Sequence, residues 1–158
     1  MILIADSSAL IALAHCDCLE ILETLFGEVK VPEAVYQEVI YESKPESEKL
    51  KQFLSKKIER VNIQDYLIIE GLLGSGELEA MALYKKLNAD WLLIDDEKAR
   101  KAARFNKIKI IGSLGVLLVA KEKNLIQNIR PYVDRIQSAN IYYSEKILTE
   151  VFELANEL

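Results

Sequence analysis

Two short apolar runs that each stop at aspartate constrain this chain more than any other feature. Met1 to Ala5 is apolar throughout and ends at Asp6, and Trp91-Leu92-Leu93-Ile94 ends at Asp95-Asp96. Runs this short, apolar on both faces and bounded by polar residues, read as fully buried strands. Ile108 to Ile111 is a third mostly apolar run, closed by Gly112-Ser113, and Val29 to Val31 is a shorter one. Ile58 to Ile63 alternates roughly as a strand. Strands buried on both faces belong to a parallel sheet with helices on either side.

The segments between these runs carry helical signals. Ser7-Ser8 supplies N-caps ahead of the helix-favouring stretch Ala9 to Ala14. Asp17, with Glu20 three positions later, predicts a second helix by the capping-box pattern, and Gly27 closes it. Pro32 suits the first position of a third helix, in which Val35, Val39 and Ile40 form an apolar stripe beside Glu38. Lys44 to Lys57 is charged, with Pro45 opening a turn and a solvated helix expected after Ser47. Leu72-Leu73-Gly74-Ser75-Gly76 reads as a flexible loop before a helix from Glu77 to Asn88. Lys98 to Phe105 and Leu114 to Lys123 continue the alternation. Residues 126–158 hold no run like a central strand and read as two helices, Arg130 to Ser138 and Ser144 onward. The expectation is one α/β domain over 1–158, a three-layer fold with a central parallel sheet and a helical C-terminal extension at 126–158. Its functional crevice lies at the carboxyl ends of the strands.

Composition excludes several functions. No apolar run approaches the ~20 residues of a spanning helix and no basic signal-type start is present, so a soluble, cytoplasmic protein without membrane contact is expected. His15, Cys16 and Cys18 form a His-Cys-x-Cys run, yet the chain has no other histidine or cysteine to complete a zinc site. A core-facing helix end with reduced thiols is the simpler reading. One histidine and no nucleophile motif also argue against a Ser-His-Asp or Cys-His hydrolase. Neither Gly-x-Gly-x-x-Gly nor a Walker loop is present, which disfavours a nucleotide-binding module. A net charge of −5 argues against a general nucleic-acid coat, though not against a nuclease whose own carboxylates supply the charge.

Those carboxylates gather where the strands end. Asp6 closes the first strand, Asp95 and Asp96 close the Trp91 strand, Glu77 opens the helix before it, and Glu38 lies beside an apolar stripe. Each alone reads as a cap or a solvated side chain. Together at one sheet edge they would repel one another unless protons or cations compensate, and hard oxygen donors suit Mg²⁺ or Mn²⁺. Those ions point to phosphoryl chemistry. Lys98, Arg100, Lys101, Arg104, Lys107 and Lys109 follow directly, with Arg100 and Arg104 on one helix face where they could grip a phosphate backbone. A solvated helix face is the plain alternative.

The chain resembles the PIN domain ribonucleases, and within them the small PIN-like proteins of the DUF3368 family. The matching stretches are Ile-Ala-Asp-Ser-Ser-Ala-Leu-Ile at 4–11, Val-Tyr-Gln-Glu-Val at 35–39, Gly-Glu-Leu-Glu-Ala at 76–80, Leu-Leu-Ile-Asp-Asp-Glu-Lys-Ala-Arg at 92–100 and Ile-Gly-Ser-Leu-Gly at 111–115. Their order and spacing cover nearly the whole chain. The resemblance implies a PIN-like fold and an acidic pocket of Asp6, Glu38, Glu77 and one of Asp95 and Asp96, supported by Ser7 or Ser113. Aligning the helix favours Asp95; aligning the strand favours Asp96. Glu77 stands where many PIN toxins have aspartate, and Ser113 where relatives often have threonine. What the resemblance implies is a Mg²⁺- or Mn²⁺-dependent ribonuclease, a toxin with an antitoxin partner and a homodimer. The alternative is an inactive PIN-like module that binds RNA or a protein.

Overall fold

The computed structural model describes residues 1–41, 44–66, 68–69 and 73–158. In chain order the elements are β1 (Ile2–Ala5), α1 (Ser7–His15), α2 (Leu19–Phe26), β2 (Glu28–Pro32), α3 (Glu33–Ile40), α4 (Pro45–Leu54) and β3 (Ile58–Glu59). A 3-10 turn (Ile63–Asp65) precedes α5 (Ser75–Leu87), β4 (Trp91–Leu93), α6 (Glu97–Phe105), β5 (Ile110–Ile111), α7 (Ser113–Glu122), α8 (Arg130–Ser138) and α9 (Glu145–Leu154). The strands form one sheet in the order β3-β2-β1-β4-β5, and every pairing is parallel. Leu3, Ile4 and Ala5 of β1 and Leu92, Leu93 and Ile94 at β4 are sealed from solvent, as their unbroken apolar runs require. Helix α5 packs on β1, β2 and β4, while α1 and α2 pack with α7, which gives the α/β three-layer arrangement.

Chain order reverses between β1 and β4. Crossovers from β1 run outward to β2 and β3 on one side, and β4 and β5 lie on the other, so a crevice opens at the carboxyl ends of β1 and β4. Asp6 and Asp95-Asp96 stand at those two ends.

Several expected boundaries move, each for a local reason. The second helix starts at Leu19, not Asp17. Asp17 has φ 55° and ends α1, since the Cys18 N–H reaches the Leu13 carbonyl at 2.9 Å and the Asp17 N–H reaches Ala14 at 3.2 Å. That is the double bond pattern of a left-handed helix stop, so Asp17 cannot also cap the next helix. Pro32 closes β2 one place ahead of α3, and Ser7 is already helical, with Asp6 at the cap position. The solvated helix of the charged segment begins at Pro45 and buries Leu50 and Leu54 completely, so it is a core helix with a polar outer face. Of the expected strand at 58–63 only Ile58–Glu59 pairs, because Asn62 accepts the Gln64 N–H and starts the 3-10 turn. Ile108 is likewise lost to β5, its N–H closing α6 onto the Ala103 carbonyl. Leu72 of the expected flexible loop lies outside the described residues, and Ser75 and Gly76 belong to α5. Helices α8 and α9 fall where the C-terminal pattern puts them. Among the described residues no helix is long and apolar enough to cross a membrane.

Candidate functional site

Asp6 is the floor of the crevice. It follows β1 without a break, its N–H bonded to the Leu93 carbonyl at 2.9 Å, so the pairing of β1 with β4 fixes its backbone. Only 2% of the residue is exposed, and its Oδ1 is buried without a hydrogen-bond partner. Burial pushes its pKa from 3.8 up to about 7, against the Ser7 N–H that favours the anion, with the charges of Glu77, Glu38 and Asp96 adding to the rise. Those three carboxylates therefore lie near enough for their charges to bear on Asp6.

Each of the three is held by its own element. The Ser7 hydroxyl donates to Glu38 Oε2 at 2.6 Å, linking the first turn of α1 to α3. Glu77 Oε2 accepts the Gly74 N–H at 2.9 Å, a helix-start contact from the third residue of α5. Asp96 caps α6 by accepting the Ala99 N–H at 2.9 Å. Gly76 makes room for this arrangement: a methyl there would come within 2.9 Å of Glu38 Cδ. A glycine buried in the first turn of α5 is thus a steric requirement of the pocket, not loop flexibility.

Asp95 turns the other way. Its Oδ1 accepts the Ser113 N–H and its Oδ2 the Ser113 hydroxyl, both at 2.7 Å. Ser113 Oγ lies 2.7 Å from the Tyr143 hydroxyl; because Ser113 donates to Asp95, Tyr143 must donate to Ser113. Burial raises the Tyr143 pKa, which keeps that proton in place. Arg100 Nη1 donates to the Ile94 carbonyl at 2.8 Å and, with Asp95, leaves no space for a side chain at Gly112. Asp95, Ser113, Arg100 and Tyr143 clamp the β4 and β5 ends together. Arg104 is exposed on the outer face of α6.

The family model described as PIN domain matches residues 2–157. The chain is a PIN domain protein. PIN domains are generally nucleases and typically use divalent metals. No curated protein matches the chain.

For this PIN domain the geometry sorts the expected residues into two groups. Asp6, Glu38, Glu77 and Asp96 come together with Ser7; Asp95, Ser113 and Arg100 form the adjoining clamp. Among the described residues, no three acidic, histidine or cysteine side chains converge closely enough to form a ready metal cage. The donor set nevertheless fits a hard divalent ion, since all four groups are carboxylates and the innermost oxygen is buried and unpaired. Cys16 and Cys18 are buried free thiols bonded to the carbonyls of Leu13 and Cys16, and His15 Nε2 faces Glu46 Oε1 at 3.5 Å. The sequence pattern does not mark Tyr143, and it marks Gly76 only as part of a loop. A tyrosine in a helix connection carries no pattern, whereas Gly76, two residues past Gly74 at a helix start, could have been questioned as a packing glycine.

Proposed function

We propose that this PIN domain is a Mg²⁺- or Mn²⁺-dependent endoribonuclease whose ion is held by Asp6, Glu38, Glu77 and Asp96. The observation that carries the reading is the unpaired, buried Oδ1 of Asp6, on which the charges of three further carboxylates bear. An anion so placed is costly unless a proton or a cation accompanies it. When bound, a divalent ion supplies positive charge that polarises a phosphoryl oxygen and makes a water more acidic. Asp6 would hold the ion from the floor, and Glu38, Glu77 and Asp96 would supply further carboxylate oxygens. Ser7 keeps Glu38 oriented across the pocket. Asp95 and Ser113 act through the backbone, fixing the strand end from which Asp96 projects. Arg104, and the nitrogens of Arg100 not used on Ile94, face substrate phosphates. The family resemblance extends the proposal to a toxin with an antitoxin partner, active as a homodimer in the cytoplasm.

The reading is tested by incubating purified protein with a mixed RNA pool and Mn²⁺, beside Asp6→Asn and a chelator control. Cleavage should appear only with metal and fall at least about a hundredfold in Asp6→Asn. The spread of the carboxylates favours one other reading, an inactive module that binds without cutting. Retention of RNA by a protein that leaves it intact in Mn²⁺ would establish that alternative.

A further inference from the structure

We propose that the far end of α6 is a stacking platform for a single strand of nucleic acid, over which the substrate chain lies after leaving the acidic pocket. The proposal rests on the nuclease reading above for the identity of the strand, and on separate observations for the surface.

Phe105, the last residue of α6, is 72% exposed, and Ile69 is 52% exposed. A single exposed apolar side chain is ordinary. A buried polar group ties the backbone of Ile69 to the residue that follows Phe105. Asn106, only 8% exposed, accepts the Ile69 N–H on Oδ1 at 2.8 Å, and its Nδ2 donates to the Ile69 carbonyl at 2.8 Å. The same Nδ2 donates to the Ala102 carbonyl at 2.8 Å, locking the amide to α6. An asparagine thereby pairs with the loop backbone as a neighbouring strand would, and holds Ile69 against the end of the helix that presents Phe105. An amide spent on both ends of one residue fixes a surface that stability alone does not require to be apolar.

Cations crowd the same stretch of chain. Lys101, Arg104, Lys107 and Lys109 are exposed, and none forms an ion pair with another described residue. Lys101 lies one helical turn before Phe105 and shares its face, with Arg104 alongside. Residues 98–109 hold six cations and no acid in a chain of net charge −5, so this is where an anion is attracted. Helix α6 starts beside Asp96 and spans about 12 Å to Phe105, which joins the platform to the pocket by one continuous element. Bare aromatic faces within a positive groove bind single strands because bases stack on the ring while phosphates meet the cations. A duplex cannot offer its base faces, and an acidic peptide would use the cations without needing the ring.

The test is fluorescence anisotropy with a labelled RNA of about 12 nucleotides, in chelator, over a range of salt, beside a duplex of the same length. Phe105→Ala should weaken single-strand binding about five- to a hundredfold without changing its salt slope, and Phe105→Trp should restore it. The double variant Lys101→Ala, Arg104→Ala should shallow the slope by about 1.4. Single-strand affinity unchanged by Phe105→Ala, or equal affinity for the duplex, would overturn the platform. So would a glutamate-rich peptide that binds parent and Phe105→Ala alike but not the lysine-arginine variant, since it would assign the face to an acidic protein. Binding needs no cleavage in chelator, so the two readings fail separately. A protein that never cuts RNA yet loses single-strand affinity with Phe105→Ala keeps the platform and loses the nuclease; cleavage with unaltered affinity does the reverse.

Discussion

A carboxyl group sealed from water and acted on by the charges of three others is the least comfortable residue in this fold. Asp6 holds its proton up to about pH 7 in the folded chain, whereas 3.8 is its ordinary value. Between those values the unfolded state has already released the proton, so stability declines as pH rises. The contribution is complete below about pH 4 and gone above about pH 7, and at ~1.4 kcal/mol per pKa unit it amounts to a few kcal/mol. In chelator, Asp6→Asn should therefore melt near the parent at pH 4 and several degrees above it at pH 8, read by thermal denaturation across that range. A gap between the two melting curves that stays constant with pH would mean that Asp6 is not the group that titrates. The same residue would then serve opposite ends: an asparagine that steadies the empty pocket removes the charge that an ion needs.

At the scale of elements, the helices do more for the site than support it. Helix α5 starts on Gly74-Ser75-Gly76 so that Glu38 can lie against its first turn, and the methyl missing at Gly76 is the space that Glu38 occupies. Gly76→Ala adds helix propensity worth up to about 1 kcal/mol while pushing a flexible carboxylate aside. The expected outcome is a melting temperature equal to or above the parent with metal-dependent cleavage reduced at least about tenfold; loss of stability with full cleavage would contradict it. This is also where sequence legibility ends. The apolar runs at 2–5 and 91–93 declared β1 and β4, and through them the edge where the acids gather, because buried parallel strands have no other composition. Which aspartate of the pair faces the pocket was not legible, since Asp95 and Asp96 differ only in which way the chain turns after β4, and Ser113 and Tyr143 decide that from 18 and 48 residues away. Asp17 misled for a related reason: the same residue type starts helices and, in the left-handed region, stops them.

For the whole molecule the question is what ties the C-terminal helices to the sheet edge that they help to order. Tyr143, between α8 and α9, ends the hydrogen-bond chain through Ser113 to Asp95, so the C-terminal segment reaches the clamp beside the pocket. Its own anchor is Glu157. That carboxylate accepts the Ile129 N–H at 2.8 Å and the Arg130 N–H at 3.1 Å at the start of α8, and Lys121 Nζ of α7 at 3.0 Å. Burial acts to raise its pKa, but these three donors outweigh it and the value is lowered, so the anchor weakens only as pH falls through the folded pKa, below the ordinary 4.5. Glu157→Gln keeps the shape, loses the charge and can accept on only one oxygen, which leaves a helix-start N–H without its partner. A cost of about 1–2 kcal/mol is expected at pH 7, or about 2–8 °C in melting temperature for a chain of this size. The cost should fade as pH falls through the parent's lowered folded pKa and the glutamate takes up a proton. Hydrogen exchange should show the loosening at 129–133 and, through Tyr143, at 113–117, with β1 and β4 unaffected. Equal protection of 113–117 in parent and variant would mean that the C-terminal helices are held to the sheet edge independently of this anchor.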